Sequence, residues 1–540
     1  MKHNFIIIPL LLLPFVWSCS STIDDINKSE NYDSIHNPQT KVSACPTIDY
    51  YGLSLVDTGE QPYRLDSLQN HFGAFVESSA GLETDRQLSP THFALTIHVD
   101  DLDSFMSLEQ DTTLIISYVP FGYTIAEKNE SSANEDSSAY NDYLLSQSGI
   151  IEECKLVDDV DPDVEIAPLY VFWPVSREIP SSLSYDLLYL AYIPEYAKDY
   201  SSNTRSNEEE LWLSQMFEAD DARDVEYGAY VYAYDNSLST YVPVKYASVA
   251  IGGSRLNYVE TDSNGYFALP SWISPQATNS LTLYCFNDTF TVRQGSTTTP
   301  VSASLGQIST LWANNNTINI YLPYSFELEV YQAASYYFWG SNSLLSQTTQ
   351  YQSHINIQAI NNSSSGYLGL FNYTSTPYIE IYCYYTTASF IFGTVLHELG
   401  HATHYQYHGH NTMASMPDFI LESFASFHGW FCVFQYYVPS VTSHTSVNSI
   451  CTQGRQTWTS NANNPYTPLY IDLYDNYDQS ADYPNAVQDN IAYVPISAIV
   501  AASVGPVTYS QVYNILYSYV GSYYTSTQFS TFIQYFNCFN

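Results

Sequence analysis

Apolar residues follow three different rhythms along the 540-residue chain. From Phe5 to Val16 they are nearly continuous, behind Lys2 and His3. That run is too short and too broken by proline to span a bilayer as a helix, so residues 1–18 read as a targeting signal. In the middle of the chain apolar and polar positions alternate, the period of a half-buried strand. Leu95-Thr-Ile-His-Val, Thr113-Leu-Ile-Ile-Ser-Tyr-Val-Pro, Gly228-Ala-Tyr-Val-Tyr-Ala-Tyr, Ala247-Ser-Val-Ala-Ile and Leu281-Thr-Leu-Tyr-Cys-Phe are such stretches. Beyond residue 385 the spacing becomes helical, around 394–404, 419–430, 489–504 and 509–520, with a short packed element over 529–536.

Turn and cap residues sharpen these boundaries. Asp262-Ser-Asn-Gly265 supplies a tight turn between two strand-like runs, with glycine free to take positive φ. Ile381-Tyr-Cys-Tyr-Tyr385 predicts an edge strand, and Thr386 or Thr387 can cap the helix that follows, with Gly409 ending it. Ser415-Met-Pro417-Asp418 starts the next helix, and Asp489 can cap a later one. Residues 344–373 read as irregular, with a loop at Asn361-Asn-Ser-Ser-Ser-Gly366.

Charge divides the chain more sharply than hydrophobicity does. The formal net charge is −40, which argues against a nucleic-acid partner, because phosphate binding needs basic patches. Only 15 of the 55 acidic residues lie beyond residue 226, and residues 311–540 contain a single basic residue, Arg455. Tyrosine, serine, threonine and asparagine fill the C-terminal part instead. The predicted fold is multidomain: mainly-β, sandwich-like N-terminal regions, then an α+β part. The expected segments are a signal (1–18), a polar tether (19–42), an acidic β-rich domain (43–225), a β-sandwich (226–305) and an α+β domain (310–540).

The candidate chemistry sits in Thr394-Val-Leu-His397-Glu398-Leu-Gly-His401-Ala-Thr-His404. On a helix His397 and His401 share one face, so both imidazoles can reach one ion, with Glu398 placed to hold its water. Zinc bound in this way lowers the pKa of that water to about 7. A catalytic zinc takes three protein ligands and leaves one position open. Between Ile381 and Ile471 the only acidic residues are Glu398, Asp418 and Glu422. Asp418 has a structural task at a helix start. Glu422, amid Phe419-Ile-Leu-Glu-Ser-Phe-Ala-Ser-Phe, needs a partner if buried. Glu422 is therefore the preferred third ligand, with Asp418, His404 and His408 as alternatives.

This arrangement resembles the gluzincins, the thermolysin-like metallopeptidases, which carry H-E-x-x-H on one helix and a glutamate ligand on the next, about twenty residues on. The resemblance covers residues 375–435. It implies a zincin-type domain with Zn2+ held by His397, His401 and Glu422, and with Glu398 as general base. The chain departs from the family where an orienting aspartate often follows the ligand glutamate by four residues; here Ser426 stands there. No motif marks the residue that would stabilise the oxyanion; Tyr493, His444 and Arg455 are candidates for substrate or oxyanion contacts. The metzincin pattern fails, because His404 and Tyr407 stand where it needs glycine and histidine.

Two further resemblances concern the rest of the chain. Val16-Trp-Ser-Cys19 is similar to the lipobox of bacterial lipoproteins, which implies lipidation at Cys19, attachment to the cell envelope and outer membrane, and surface exposure hinted at by Asp24-Asp25. The strands and turn of 226–305 are similar to carboxypeptidase-regulatory-like domains, small transthyretin-type sandwiches. The remaining cysteines form no C-x-x-C pair, so a zinc finger is not expected. The sequence thus predicts a zinc-dependent peptidase acting on peptide or protein substrates, touching the membrane through a lipid anchor only. The alternative is a non-catalytic surface binding or adhesion lipoprotein with a vestigial metal site.

Overall fold

The computed structural model describes residues 47–50, 53–57, 63–78, 87–111, 113–125, 154–157, 165–193, 227–251, 254–270, 273, 279–313, 315–340, 350–361, 368–373, 377–383, 387–437, 469–474, 491 and 494–537. Antiparallel sheets fill the N-terminal half, and a helical region carrying a His-His-Glu group follows; the architecture is multidomain and α/β.

The N-terminal part pairs β1 (Thr47–Tyr50) with β2 (Leu53–Asp57). Helix α1 (Leu65–Ser78), β3 (His92–His98), α2 (Leu102–Glu109), β4 (Ile115–Ser117) and β5 (Tyr123–Ile125) follow. Then come β6 (Cys154–Val157), β7 (Leu169–Pro174) and β8 (Ser184–Ala191). Strands β4, β7, β3 and β8 form one antiparallel sheet in that order, while β5 joins β1 and β2. The alternation at Leu95 is thus a strand, whereas the Thr113 stretch contributes only three strand residues.

The alternating runs from residue 228 build two sheets. Strands β9 (Gly228–Asp235), β10 (Thr240–Pro243) and β13 (Tyr266–Ala268) form one sheet; β11 (Ser248–Ile251), β12 (Ser254–Glu260), β14 (Ser280–Tyr284) and β16 (Ser302–Gln307) form the other. The Asp262 turn forms as expected: its carboxylate accepts from the amides of Asn264 and Tyr266, and Gly265 takes φ +76°. Two strands tie these sheets to the C-terminal half of the chain. β17 (Thr317–Leu322) runs parallel beside β9, and β15 (Phe290–Gln294) runs parallel beside β18 (Ile355–Ile360).

β18 and β19 (Gly369–Asn372) fall within the stretch expected to be irregular. β18 alternates in sequence as Ile355-Asn-Ile-Gln-Ala359, but both of its faces are buried: Ile355 and Ile357 on one side, Asn356 and Gln358 on the other. Asn356 is polar because its side-chain oxygen accepts from Arg293 Nε at 2.9 Å. β20 (Tyr378–Tyr382) is not an edge strand; it is the middle strand of the mixed sheet β15-β18-β20-β19-β6. Residues 362–367, most of the expected loop, lie outside the described residues.

The helices are α3 (Ile308–Leu311), α4 (Phe326–Trp339), α5 (Ala388–Met413) and α6 (Asp418–Tyr437). After them come α7 (Leu469–Tyr474), α8 (Ile496–Val504), α9 (Tyr509–Val520) and α10 (Ser526–Asn537). α8 starts behind Pro495, which has no amide hydrogen to leave unpaired there, and Asp489, the expected cap, lies outside the described residues. α9 spans the predicted residues and carries a full Thr508/Gln511 capping box. One continuous core joins Val231 and Phe267 of the sandwich, Ile357 and Ile379 of the mixed sheet, and Val395 and Phe424 of the helices. No described helix is long and apolar enough to cross a membrane.

Candidate metal centre

α5 is set in place from the sandwich. The side-chain oxygen of Asn236 accepts from the Ala388 amide at 2.8 Å, and the Ser237 hydroxyl accepts from the Ser389 amide at 2.9 Å. Thr387 stands at the cap position without using its side chain, and Thr386 is outside the described residues. The first orphan amides of the helix are therefore satisfied by a turn about 150 residues away, a signal no local reading contains. Gly409 breaks the helix with φ 68° and ψ 171°, and a final helical stretch continues to Met413.

α5 then crosses α6 closely. A Cβ on Gly400 would stand 3.1 Å from Ala425 Cα and 3.6 Å from His428 Cβ. Glycine inside a helix costs about 1 kcal/mol relative to alanine; here it permits the approach that carries Glu422 to the histidines. His397 and Glu398 are fully buried, His401 is 1 % exposed and Glu422 4 %. His397 Nε2 lies 3.2 Å from Glu422 Oε2 and 3.2 Å from His401 Nε2, and His401 Nε2 lies 3.4 Å from the same oxygen.

Those three distances test the fit of a metal. Zinc ligands sit about 2.0–2.1 Å from the ion, so the edge of a tetrahedral site is roughly 3.3–3.4 Å. Two imidazole nitrogens and a carboxylate oxygen at 3.2–3.4 Å match that edge, whereas two bare nitrogens at this range repel unless a cation or proton sits between them. Among the described residues this is the group whose side chains converge for metal binding. The three groups also shape one another's charge. Burial raises the Glu422 carboxyl, but the charge of His401 and hydrogen bonds from both histidines outweigh it and bring it down to about 2. Burial lowers His401, and Glu422 then lifts it above the ordinary histidine value.

Glu398 faces β19. A Cβ on Gly369 would run into the Glu398 carboxylate and its Cγ, so glycine lets this strand pass close beside that side chain. Phe371, two residues on, lies over the His401 ring at 6.3 Å with planes 27° apart. The other edge of β19 is filled by β6, in parallel register with Gly369 opposite Cys154.

The alternative ligands lie elsewhere. His404 Nε2 donates to the Ser503 carbonyl at 2.8 Å and His408 Nε2 to the Val504 carbonyl at 2.7 Å. Both therefore satisfy orphan carbonyls at the end of α8. Burial drives His404 down to about 3, so it serves as a neutral donor. His428, which no sequence motif singles out, is also buried, and its Nδ1 donates to Leu396 O at 2.6 Å, fixing the helix pair one residue before His397. Ser426 is buried on α6. The side chain of Asp418 is not described, and Cys19, His444, Arg455 and Tyr493 lie outside the described residues. Gly369 and the Asn236–Ser237 cap are not predicted by the sequence patterns; Gly400, inside H-E-L-G-H, is the one visible sign of the close crossing.

A scan against protein-family models finds no match, and no curated protein matches the chain. The site is thus read from its own geometry: a buried His397, His401 and Glu422 group, resembling an H-E-x-x-H-plus-Glu zinc site, that can hold a metal ion.

Proposed function

We propose that the chain is a zinc-dependent peptidase whose metal is held by His397, His401 and Glu422. The observation that carries this reading is the tetrahedral-edge spacing of the three buried ligand atoms beside a fourth buried polar group, Glu398. Zinc held there supplies a Lewis acid that polarises a carbonyl and acidifies water. Glu398 takes a proton from the attacking water on its carboxylate and delivers it to the leaving nitrogen. Gly369 keeps the strand beside that carboxylate free of a side chain. The deciding experiment is hydrolysis of a broad peptide library, abolished by chelator and restored by zinc. A library left intact by the zinc-loaded protein would end the peptidase reading.

The stretch Val16-Trp-Ser-Cys19 supports a lipid anchor that holds this activity at the outer membrane. Mass spectrometry should find acyl chains on Cys19; an unmodified N-terminus at Ser20 would remove the anchor.

A further inference from the structure

The sheet of β9, β10, β13 and β17 has two unlike faces. Inward positions such as Val231, Ala233, Phe267 and Ile320 enter the core. The opposite positions carry Tyr230, Tyr232 and Tyr234 on β9, Tyr241 on β10, Tyr266 on β13 and Tyr321 on β17. Strand register sets Tyr266 opposite Tyr230, Tyr321 opposite Tyr232 and Tyr241 opposite Tyr234. The six rings form an unbroken series from Tyr266 through Tyr230, Tyr232, Tyr321 and Tyr241 to Tyr234, with centroid steps of 4.9, 6.3, 5.5, 4.8 and 5.2 Å. The planes of Tyr230, Tyr232 and Tyr321 turn by only 24° and 21° per step, whereas Tyr266–Tyr230, Tyr321–Tyr241 and Tyr241–Tyr234 are inclined by 50°, 60° and 66°. Tyr321 is 54 % exposed and Tyr241 44 %. Gly228 leaves room for the Tyr266 ring, since a Cβ there would run into its hydroxyl end.

Cross-strand tyrosine pairs stabilise sheets, but that role does not require six rings on one face or exposed rings in its series. The chemistry of the face narrows its partner. The one charged residue in these four strands, Asp235, is buried on the inner side. The other outward positions of β17 are Thr317 and Asn319 rather than aliphatic residues. The face therefore offers partly exposed aromatic rings, whose π-systems attract the polarised C–H groups of a sugar ring. Phenol hydroxyls that donate and accept surround them, held on stiff side chains with two torsions each. A net charge of −40 repels a polyanion or a second copy of this chain, and the uncharged face gives an ionic partner nothing to pair with.

We propose that this face binds a neutral polysaccharide, with pyranose rings lying on the tyrosines and glycan hydroxyls bonded to the phenols. The inference does not depend on the metal site. Affinity electrophoresis of the full chain through mixed-linkage β-glucan, galactomannan and glycogen tests it, with polygalacturonate as the anionic control. At least one neutral glycan should retard the protein, and polygalacturonate should not. Tyr241→Ala combined with Tyr321→Ala should weaken retardation at least tenfold at unchanged melting temperature, while Tyr321→Phe keeps most of it. In the unsubstituted protein the retarding glycan should also shield Tyr241 and Tyr321 from nitration, a readout independent of how the variants fold. No retardation by any neutral glycan, equal retardation of the double variant, or no shielding would overturn the proposal. So would a dimer in sedimentation that the double variant abolishes, which would make the face a contact between copies.

Discussion

Helix α6 buries a carboxylate problem at each end, and the two ends solve it differently. Near its start, Glu422 meets two imidazoles in a group that can hold a metal ion. Fifteen residues later, roughly 22 Å along the helix, the Tyr437 hydroxyl donates to Glu329 at 3.2 Å beside Asp235, with both carboxylates nearly fully buried. There, burial first, then the neighbouring Asp235 charge, push Glu329 well above the carboxylate range, and burial raises Asp235 as well. One end draws its carboxylate below the ordinary range by gathering cationic partners; the other leaves it to a proton. The difference teaches how to read a buried acid. Burial alone does not mark a site; the convergence of ligand atoms does.

The largest expected effect breaks the first end. Glu398→Gln should lower peptide turnover about 10² to 10⁴-fold while zinc content stays near one per chain. Glu422→Gln should lose zinc, because a neutral amide replaces an anionic ligand. If Glu422→Gln holds zinc as tightly as the unsubstituted protein, the metal assignment is wrong; if Glu398→Gln cleaves at the original rate, the proton-transfer role is wrong.

A buried acid with a cation of its own gives the next effect. Glu109 on α2 pairs with Arg293 on β15 at 2.7 Å, both 6 % exposed or less. The Arg293 guanidinium also lies over Phe105, at 5.5 Å from the ring centroid. This pair joins the N-terminal sheet to the mixed sheet, so Arg293→Gln strands Glu109 and should cost about 3–5 kcal/mol in denaturant unfolding. A loss below about 1 kcal/mol would show that the junction is carried by apolar contacts instead. Chelator comes next: removing a metal present at a thousand times its dissociation constant costs about 4 kcal/mol. That loss should appear as a lower melting temperature in the unsubstituted protein and vanish in Glu422→Gln.

How much of this was legible in the sequence differs between the two ends. The His397, His401 and Glu422 group is readable in the sequence because residues that can hold a metal ion recur at spacings that one helix and its neighbour impose. What the motif could not separate was ligand from bracket. His404 lies three residues from His401 yet binds a carbonyl of α8, and only the fold brings Ser503 there. β18 alternates as Ile355-Asn-Ile-Gln-Ala359, yet its polar residues are buried, so the alternation there does not report exposure. The Asp235–Glu329–Tyr437 group was invisible, since its members come from β9, α4 and α6 and no local pattern links them. The Tyr230-Val-Tyr-Ala-Tyr alternation predicted a strand, but not that β17 would complete its outer face.

The smallest effect sharpens the second end. Because Glu329 titrates higher folded than unfolded, the folded state keeps a proton that the unfolded chain has already lost at intermediate pH. Stability from this group is therefore fully present below the ordinary carboxylate range and is lost as pH rises toward the raised folded value. Glu329→Gln keeps an acceptor for Tyr437 but carries no charge to bury. It should leave the melting temperature unchanged near pH 4 and raise it at pH 8, by about 2 °C for each kcal/mol recovered. The difference between variant and unsubstituted protein should thus grow with pH. Zinc content and peptide turnover should stay as they were, since Glu422 lies at the far end of the helix. A variant less stable at pH 8 would mean that Glu329 is ionised and paired in the folded protein, and the contrast between the two ends of α6 would fail.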